Sequence, residues 1–427
     1  MENNKNNITS EELKAAFTGE SVEPTKANPN TKAGTKLKKK GSKDKKLLAF
    51  LIIGIIGLIG GSVMLVVAIL GMKADGPADN YPDLTSSEEK DEIYSNLTGE
   101  ILSDEAALSA PAYCVQTPNG TDGARPQAGL DQAGVIFEAI AEAGITRFAA
   151  IYQNPNSAVI GPIRSLRIYY LEWDTPFDCT IVHAGGSGDA LAAVSSGGYS
   201  DLTENYSYMY RGNAGARRWN NLFTSSSLLR KYSSDSGHAT SNIKGFARMT
   251  PDESERARVE GTASEVLNIT APAKGDTSVM APVVSAVSLR FGGIPSFNVK
   301  YQYDENSNKY FRSYENGDAH EVYGCPSDDL GEVNPESSCT LTQMAPSVVV
   351  AMMVSERRAS DNYHEDIDAI GSGKAFVFQN GMAVAGRWEK GSKADQIKFI
   401  DDNGNEIKLA PGQTFVSAVP DYGSVDF

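Results

Sequence analysis

The sequence predicts an α/β N-terminal domain followed by a mostly antiparallel, β-rich C-terminal domain, both behind a single transmembrane helix. Three observations carry this. Leu47–Met72 is a run of 26 positions without a charged residue, longer than the roughly 20 that a helix needs to cross the hydrocarbon core. Between residues 109 and 270, short apolar runs alternate with helix-like segments, the order expected of an α/β layer. Beyond residue 284 come eight short runs of strand character, with Asn380-Gly381 and Asn403-Gly404 set between runs as hairpin turns.

Taken in order, residues 1–46 are rich in Asn, Lys, Thr and Gly and poor in apolar side chains, a composition that predicts a disordered tail. Seven lysines from Lys36 to Lys46 crowd the near side of the apolar run, and only Lys73 follows it closely. The positive-inside rule therefore places the tail in the cytoplasm and everything after Met72 outside. Residues 73–108 read as an acidic stalk with a short helix over Ser86–Leu97. In the first domain, Phe148–Tyr152 and Cys179–His183 are buried strands, while Ser165–Trp173 and Asp189–Val194 have a helical pattern. Residues 271–283, with Pro272, Gly275 and Pro282, form a linker. The second domain, 284–421, takes its strands from Ala286–Phe291, Asn298–Tyr303, Lys309–Ser313, Ser347–Val354, Lys374–Gln379, Met382–Trp388, Ile397–Ile400 and Thr414–Val419.

Charge narrows the partners. The tail holds 11 lysines against 6 acidic residues, so a whole-chain charge of −15 leaves −20 for the rest. A domain this acidic repels nucleic acid, and the basic tail is a topology signal and a surface for anionic lipids. All four cysteines lie beyond the apolar run, where disulfides persist. Cys325 with Cys339 would close a short loop and Cys114 with Cys179 would link two strands; free buried thiols are the alternative. Nothing has zinc-site spacing, and the acidic stretches Asp328–Glu336 and Asp401–Asn405 lack calcium-loop spacing, so no metal or cofactor is expected.

The chemistry concentrates between Ala124 and Ser225. Glu138 and Glu142 share a face whether Val135–Ala143 is helix or strand, because a spacing of four suits both periods. Two such carboxylates can act as acid and base or hold a cation; equally, they can pair with Arg147 or Arg164 in a structural network. Arg164 and Arg167 stand one turn apart at a helix start after Gly161-Pro162, suited to a phosphate, carboxylate or uronic acid, or to a structural pair. His183 ends an apolar strand before Gly185-Gly186-Ser187-Gly188 and is a candidate base, ligand donor or satisfied core histidine. The run Trp219-Asn220-Asn221-Leu222-Phe223-Thr224-Ser225 offers an aromatic beside amides and hydroxyls, fit for a sugar or for packing and an N-cap. Candidate catalytic residues are thus Glu138, Glu142 and His183, and candidate ligand-binding residues Arg125, Arg147, Arg164, Arg167, Asn221 and Thr224.

Several blocks in one order, Ala124-Arg125-Pro126-Gln127-Ala128-Gly129-Leu130, Gly144–Phe148, Gly161–Arg167, Val182–Ser187 and Asn221–Ser225, then Ile370–Ala375, Gly386-Arg387-Trp388 and Pro411–Thr414, resemble the YerB-like family of bacterial cell-envelope proteins. The resemblance covers most of residues 110–420. It implies an α/β domain, a β-rich domain and an extracytoplasmic position, and it brings no established reaction. Two departures stand out: many members look like lipoproteins whereas this chain has the Leu47–Met72 run, and Asn220 stands where the family pattern has His. The expectation is a membrane-anchored envelope protein that binds an anionic glycan, a peptidoglycan fragment or a wall-synthesis partner. The alternative is an envelope hydrolase or transferase with a Glu/His acid–base pair.

Overall fold

Strands dominate residues 92–212, 220–266, 284–325 and 338–427, which a computed structural model describes. All of these residues belong to one compact unit, Glu89–Phe427. The tail, the Leu47–Met72 run, the stalk up to residue 91, the 271–283 linker, Trp219 and the acidic stretch Asp328–Glu336 lie outside the described residues. Among the described residues, no helix is long and apolar enough to cross a membrane.

The N-terminal half supplies β1 (Ala112–Pro118), β2 (Gln127–Ala128), β3 (Val135–Glu142), β4 (Ile145–Gln153), β5 (Cys179–Val182) and β6 (Asp201–Leu202). Its helices are α1 (Ile168–Asp174), α2 (Gly188–Ser195), α3 (Ser226–Ser236) and α4 (Pro251–Val266). The C-terminal half supplies β7 (Ala286–Arg290), β8 (Val299–Asp304), β9 (Lys309–Tyr314), β10 (Glu321–Gly324), β11 (Thr340–Gln343), β12 (Val348–Val354), β13 (Gly371–Gln379), β14 (Met382–Lys390), β15 (Lys398–Asp401), β16 (Thr414–Pro420) and β17 (Ser424–Asp426).

Ten of these strands form one sheet, in the order β15-β14-β13-β12-β16-β3-β4-β1-β5-β6, so both halves contribute to a common layer. The junction is parallel: β16 runs parallel to β12 on one side and to β3 on the other. This corrects the expectation of a mostly antiparallel second half at that strand, and the sequence explains it. β12 (VVVAMMV) and β16 (TFVSAVP) are buried almost throughout, as central strands covered on both faces must be.

Odd and even positions divide between two cores. Val135, Phe137, Ala139, Ala149 and Ile151 face Tyr169, Tyr170 and Trp173 of α1 on one side of the sheet. On the other side, Ile140, Val349, Ala351 and Phe378 pack against a four-stranded antiparallel sheet, β9-β8-β7-β17. At the hairpin between β13 and β14, Asn380 (φ 54°) and Gly381 (φ 73°) both take the left-handed conformation that a two-residue turn of this hand requires. Two disulfides, Cys114–Cys179 and Cys325–Cys339, close the pairs expected from the sequence.

Two local readings change. The folded part begins before residue 108: Ile93–Tyr94 pairs with Ile101–Leu102, Leu97 is buried, and Arg248 Nη2 donates to the Leu97 carbonyl at 2.6 Å. At the described end of the helix expected over Ser86–Leu97 there is this strand pair instead. Likewise Ser165–Arg167 is extended and the helix starts only at Ile168. The amides of Ile163, Arg164 and Leu166 donate to Leu222, Gln116 and Gly185, so they are used by strand-like neighbours and cannot serve a helical turn.

Candidate functional site

Glu138 and Glu142 leave β3 on opposite faces. The register against β4 shifts between Ile140 and Glu142, leaving Ala141 as an extra residue, and a one-residue bulge sends every later side chain to the other side. The shared face expected from a spacing of four is therefore lost.

Glu138 turns toward the four-stranded sheet, where β9 buries every second residue and thereby directs Arg312 inward between Tyr310 and Tyr314. Arg312 Nη2 donates to both carboxylate oxygens, at 3.0 and 2.8 Å, and neither side chain is exposed. Thr146 Oγ1 and Asn119 Nδ2 donate to Glu138 Oε1 at 2.9 and 3.3 Å. Arg312 Nη1 donates to His320 Nδ1, which puts the histidine proton on Nε2, within 3.1 Å of Gln127 Oε1. Arg125 caps this network: its Nε donates to Asn119 Oδ1 at 2.9 Å and its guanidinium lies 3.7 Å from the centre of the Tyr314 ring. Burial raises the cost of all these charges, and the Glu138 carboxylate outweighs it for Arg312, whose pKa is raised. Each polar group has its partner, so this is an internal brace between the two halves.

Glu142 turns toward α1. Arg147 Nη2 donates to Oε1 at 2.7 Å and Arg167 Nη2 donates to Oε2. Burial would push the Glu142 carboxyl up; Arg147 and Arg167, with a smaller pull from Arg164, outweigh it and hold the carboxyl below its usual range. Three guanidiniums thus act on one carboxylate. Arg147 and Arg167 are buried, Arg147 Nε has no hydrogen-bond partner, and the half-buried Arg164 guanidinium has no partner among the described residues.

Beside this cluster lies a cavity of about 400 Å³ lined by, among others, Arg167, Ser187, Gly188, Asp189, Asp361 and Asp366. Ser187 is the N-cap of α2, 7% exposed, yet its hydroxyl makes no capping bond and no other hydrogen bond. Nothing stands within 4 Å of where a Cβ on Gly188 would be, so the first turn of α2 opens on free space. First-turn amides have no backbone acceptor within their own helix, which makes such an end attractive to an anion; in α2 the amide of Ala190 is already taken by Asp189 Oδ1 at 2.8 Å, which leaves those of Gly188 and Asp189.

Sequence and overall fold tie the chain to known proteins. The family model "Protein of unknown function (DUF3048) N-terminal domain" matches residues 97–239, and the corresponding C-terminal domain model matches residues 287–416. The chain belongs to the YerB-like family. It is 26% identical over 307 residues, 70% of this chain and 78% of the other, to a Bacillus subtilis (strain 168) protein described as "Putative lipoprotein YerB". It also shares the fold of the crystal structure of YerB protein from Bacillus subtilis, with a TM-score of 0.60 and 23% identity over 79% of this chain and 100% of that one. The Glu142 cluster falls within the family's N-terminal domain, whereas the brace joins both domains, since Arg312 and His320 belong to the C-terminal one.

Of the residues singled out from the sequence, the fold brings together Glu142, Arg147 and Arg167, with Arg164 near, and separately Glu138 with Arg125. His183 stands apart and buried, with Nδ1 2.7 Å from the Gly185 carbonyl and Nε2 2.7 Å from Asp201 Oδ1. Asn221 Oδ1 accepts from Arg211, and Thr224 Oγ1 donates to the Tyr208 carbonyl, while Ser225 caps α3 through the Leu228 amide. Neither glutamate has a carboxylate oxygen free of a guanidinium, and His183 has both ring nitrogens occupied, so an acid–base pair is not assembled by these three. Arg312 was legible in principle, as an arginine in the inward phase of an alternating strand. The cavity's far wall, from residues 359–366, carries no sequence signal of its own.

Proposed function

We propose that this chain is a membrane-anchored, extracytoplasmic protein of the cell envelope that binds an anionic group of a wall component, a peptidoglycan fragment or a related glycan, in the cavity beside Arg167. The observation that carries the reading is the charge imbalance at Glu142: three guanidiniums, one carboxylate, and an open helix start next to them. A buried guanidinium in excess of its counter-charge attracts a carboxylate or phosphate more strongly than one in water does. The placement draws on the uncharged Leu47–Met72 run with its flanking lysines, on two disulfides, and on the lipoprotein description of the Bacillus relative.

The test is titration of the purified full-length chain, in detergent, with soluble fragments of enzymatically digested cell wall, followed by calorimetry at low and high salt. The expected result is saturable binding that weakens about tenfold or more in Arg164→Gln and in Arg167→Gln. Arg164→Gln is the cleaner variant because that guanidinium holds nothing else in place. Fragments that fail to bind, or that bind both variants like the parent chain, would remove the proposal.

A further inference from the structure

The cavity beside Arg167 has two electrical poles, and an anion alone would satisfy only one. Its basic pole is Arg167, with Arg147 and Arg164 acting on the same Glu142 behind it. Around the rest of the lining stand four carboxylates, those of Asp189, Asp361, Glu365 and Asp366. Three of them already have basic partners: Asp361 Oδ2 with His364 Nδ1 at 2.6 Å, Asp366 with Arg357 at 2.6 Å, and Glu365 with Arg358 at 3.8 Å. Asp189 is different. Its Oδ1 accepts only from the amide of the next residue, Ala190, at 2.8 Å, and no cation pairs with it among the described residues.

Asp189 lies two positions beyond Ser187, so the unpaired carboxylate and the unpartnered, buried hydroxyl sit on one helix start. An anionic ligand entering here meets Arg167 and the hydroxyl, then a carboxylate it must repel. A cationic ligand meets Asp189, then the guanidinium of Arg167. A ligand carrying both signs on neighbouring atoms satisfies Ser187, Arg167 and Asp189 together.

We infer that the cavity recognises an unblocked α-amino acid group, with its carboxylate against Arg167, Ser187 Oγ and the first turn of α2, and its ammonium against Asp189. The remaining volume takes whatever the amino acid is attached to. This rests on the anion-binding reading above and narrows it to one class of ligand, a free amino acid or one attached through its side chain, so that the ammonium and the carboxylate stay on the same α-carbon.

Three small probes separate the ideas: alanine, N-acetylalanine and alaninamide, each titrated into the full-length chain and followed by saturation-transfer NMR. The expected order has alanine tightest, with either blocked form weaker by about tenfold or more, the loss that goes with one charge-assisted contact. Asp189→Asn should abolish the preference for alanine over N-acetylalanine, and circular dichroism of the variant should match that of the parent chain, since Asp189 holds no partner beyond its own helix. If N-acetylalanine binds as tightly as alanine and Arg167→Gln removes both, the two-signed ligand is overturned while anion binding stands. If alaninamide binds as tightly as alanine and Arg167→Gln changes nothing, both readings fall. If none of the three binds up to its solubility limit, the amino acid inference is overturned, and the wall-fragment titration decides the broader reading on its own.

Discussion

Glu138 and Arg312 stand 174 positions apart in sequence and meet between the ten-stranded sheet, to which both halves contribute, and the four-stranded sheet of the C-terminal half, with neither side chain exposed to solvent. Removing one partner leaves a buried charge alone, which costs about 3–5 kcal/mol. Glu138→Gln and Arg312→Met should each lower the free energy of unfolding by about that amount. The double variant should lose clearly less than the sum, because it strands no charge. Denaturant titration of the four chains gives the coupling, and strict additivity would show that the two side chains do not act as a pair.

His320 shares this brace, and burial first, then the Arg312 guanidinium, hold its pKa well below the usual 6.5. A histidine depressed in the folded state contributes stability that is complete above its unfolded pKa and is lost as pH falls below it, because only the unfolded chain takes up the proton. Stability should therefore decline below about pH 6.5, by at most about 1.4 kcal/mol per pH unit from this group. His320→Gln should remove that part of the slope, whatever it does to stability at neutral pH. Unfolding midpoints measured from pH 5 to pH 8 on both chains would show it.

Glu356 titrates in the opposite sense. Burial pushes its carboxyl up to about 7, even though Tyr422 donates to Oε1 at 2.8 Å, and Oε2 has no partner. A carboxyl raised in the folded state holds its proton there longer than in the unfolded chain, so stability falls as pH rises from about 4.5 to about 7 and is level above that. Glu356→Gln should flatten this window. Tyr422→Phe should move the folded pKa higher still, since the phenol favours the ionised form. A carboxyl-carbon NMR titration of labelled Glu356 reads the value directly, and one near 4.5 would dismiss the effect.

Cys114–Cys179 ties β1 to β5 across a separation of 65 residues. A loop of that length predicts a stabilisation of about 4 kcal/mol from the restricted unfolded chain. Cys114→Ala paired with Cys179→Ala should lower the unfolding midpoint accordingly, and treatment of the parent chain with a reductant should have a similar effect once the bond is accessible. Unchanged midpoints would mean that the bond adds nothing to the packing around it.

What could be read from residues alone divides along a physical line. Strands such as β7 and β8 announce themselves by alternation and β12 by an unbroken apolar run, and Asn380-Gly381 marks its hairpin because few other residues accept positive φ twice running. Val135–Ala143 stayed ambiguous between helix and strand because its apolar run suits either. The partner of Glu138 was out of reach, since only the stacking of two sheets brings Arg312 to it. The opposite facing of Glu142 hangs on one extra residue, Ala141, whose place in a bulge no local pattern announces. Arg164 and Arg167 were placed on a helix because their spacing fits one; the backbone amides there are taken by Leu222, Gln116 and Gly185 instead.

The parallel seam of β3 with β16 also sets an order of events during synthesis. A ribosome delivers β3 long before β16, yet the two are direct neighbours in the finished sheet. Until β16 arrives, β3 has an open edge and its inward face lacks the covering that the later half supplies, the kind of exposure that invites wrong pairing. Closure of this sheet therefore waits for residues 414–420: a nascent product halted before residue 414 would depend on a holding chaperone, and would be a ready target for quality-control proteolysis.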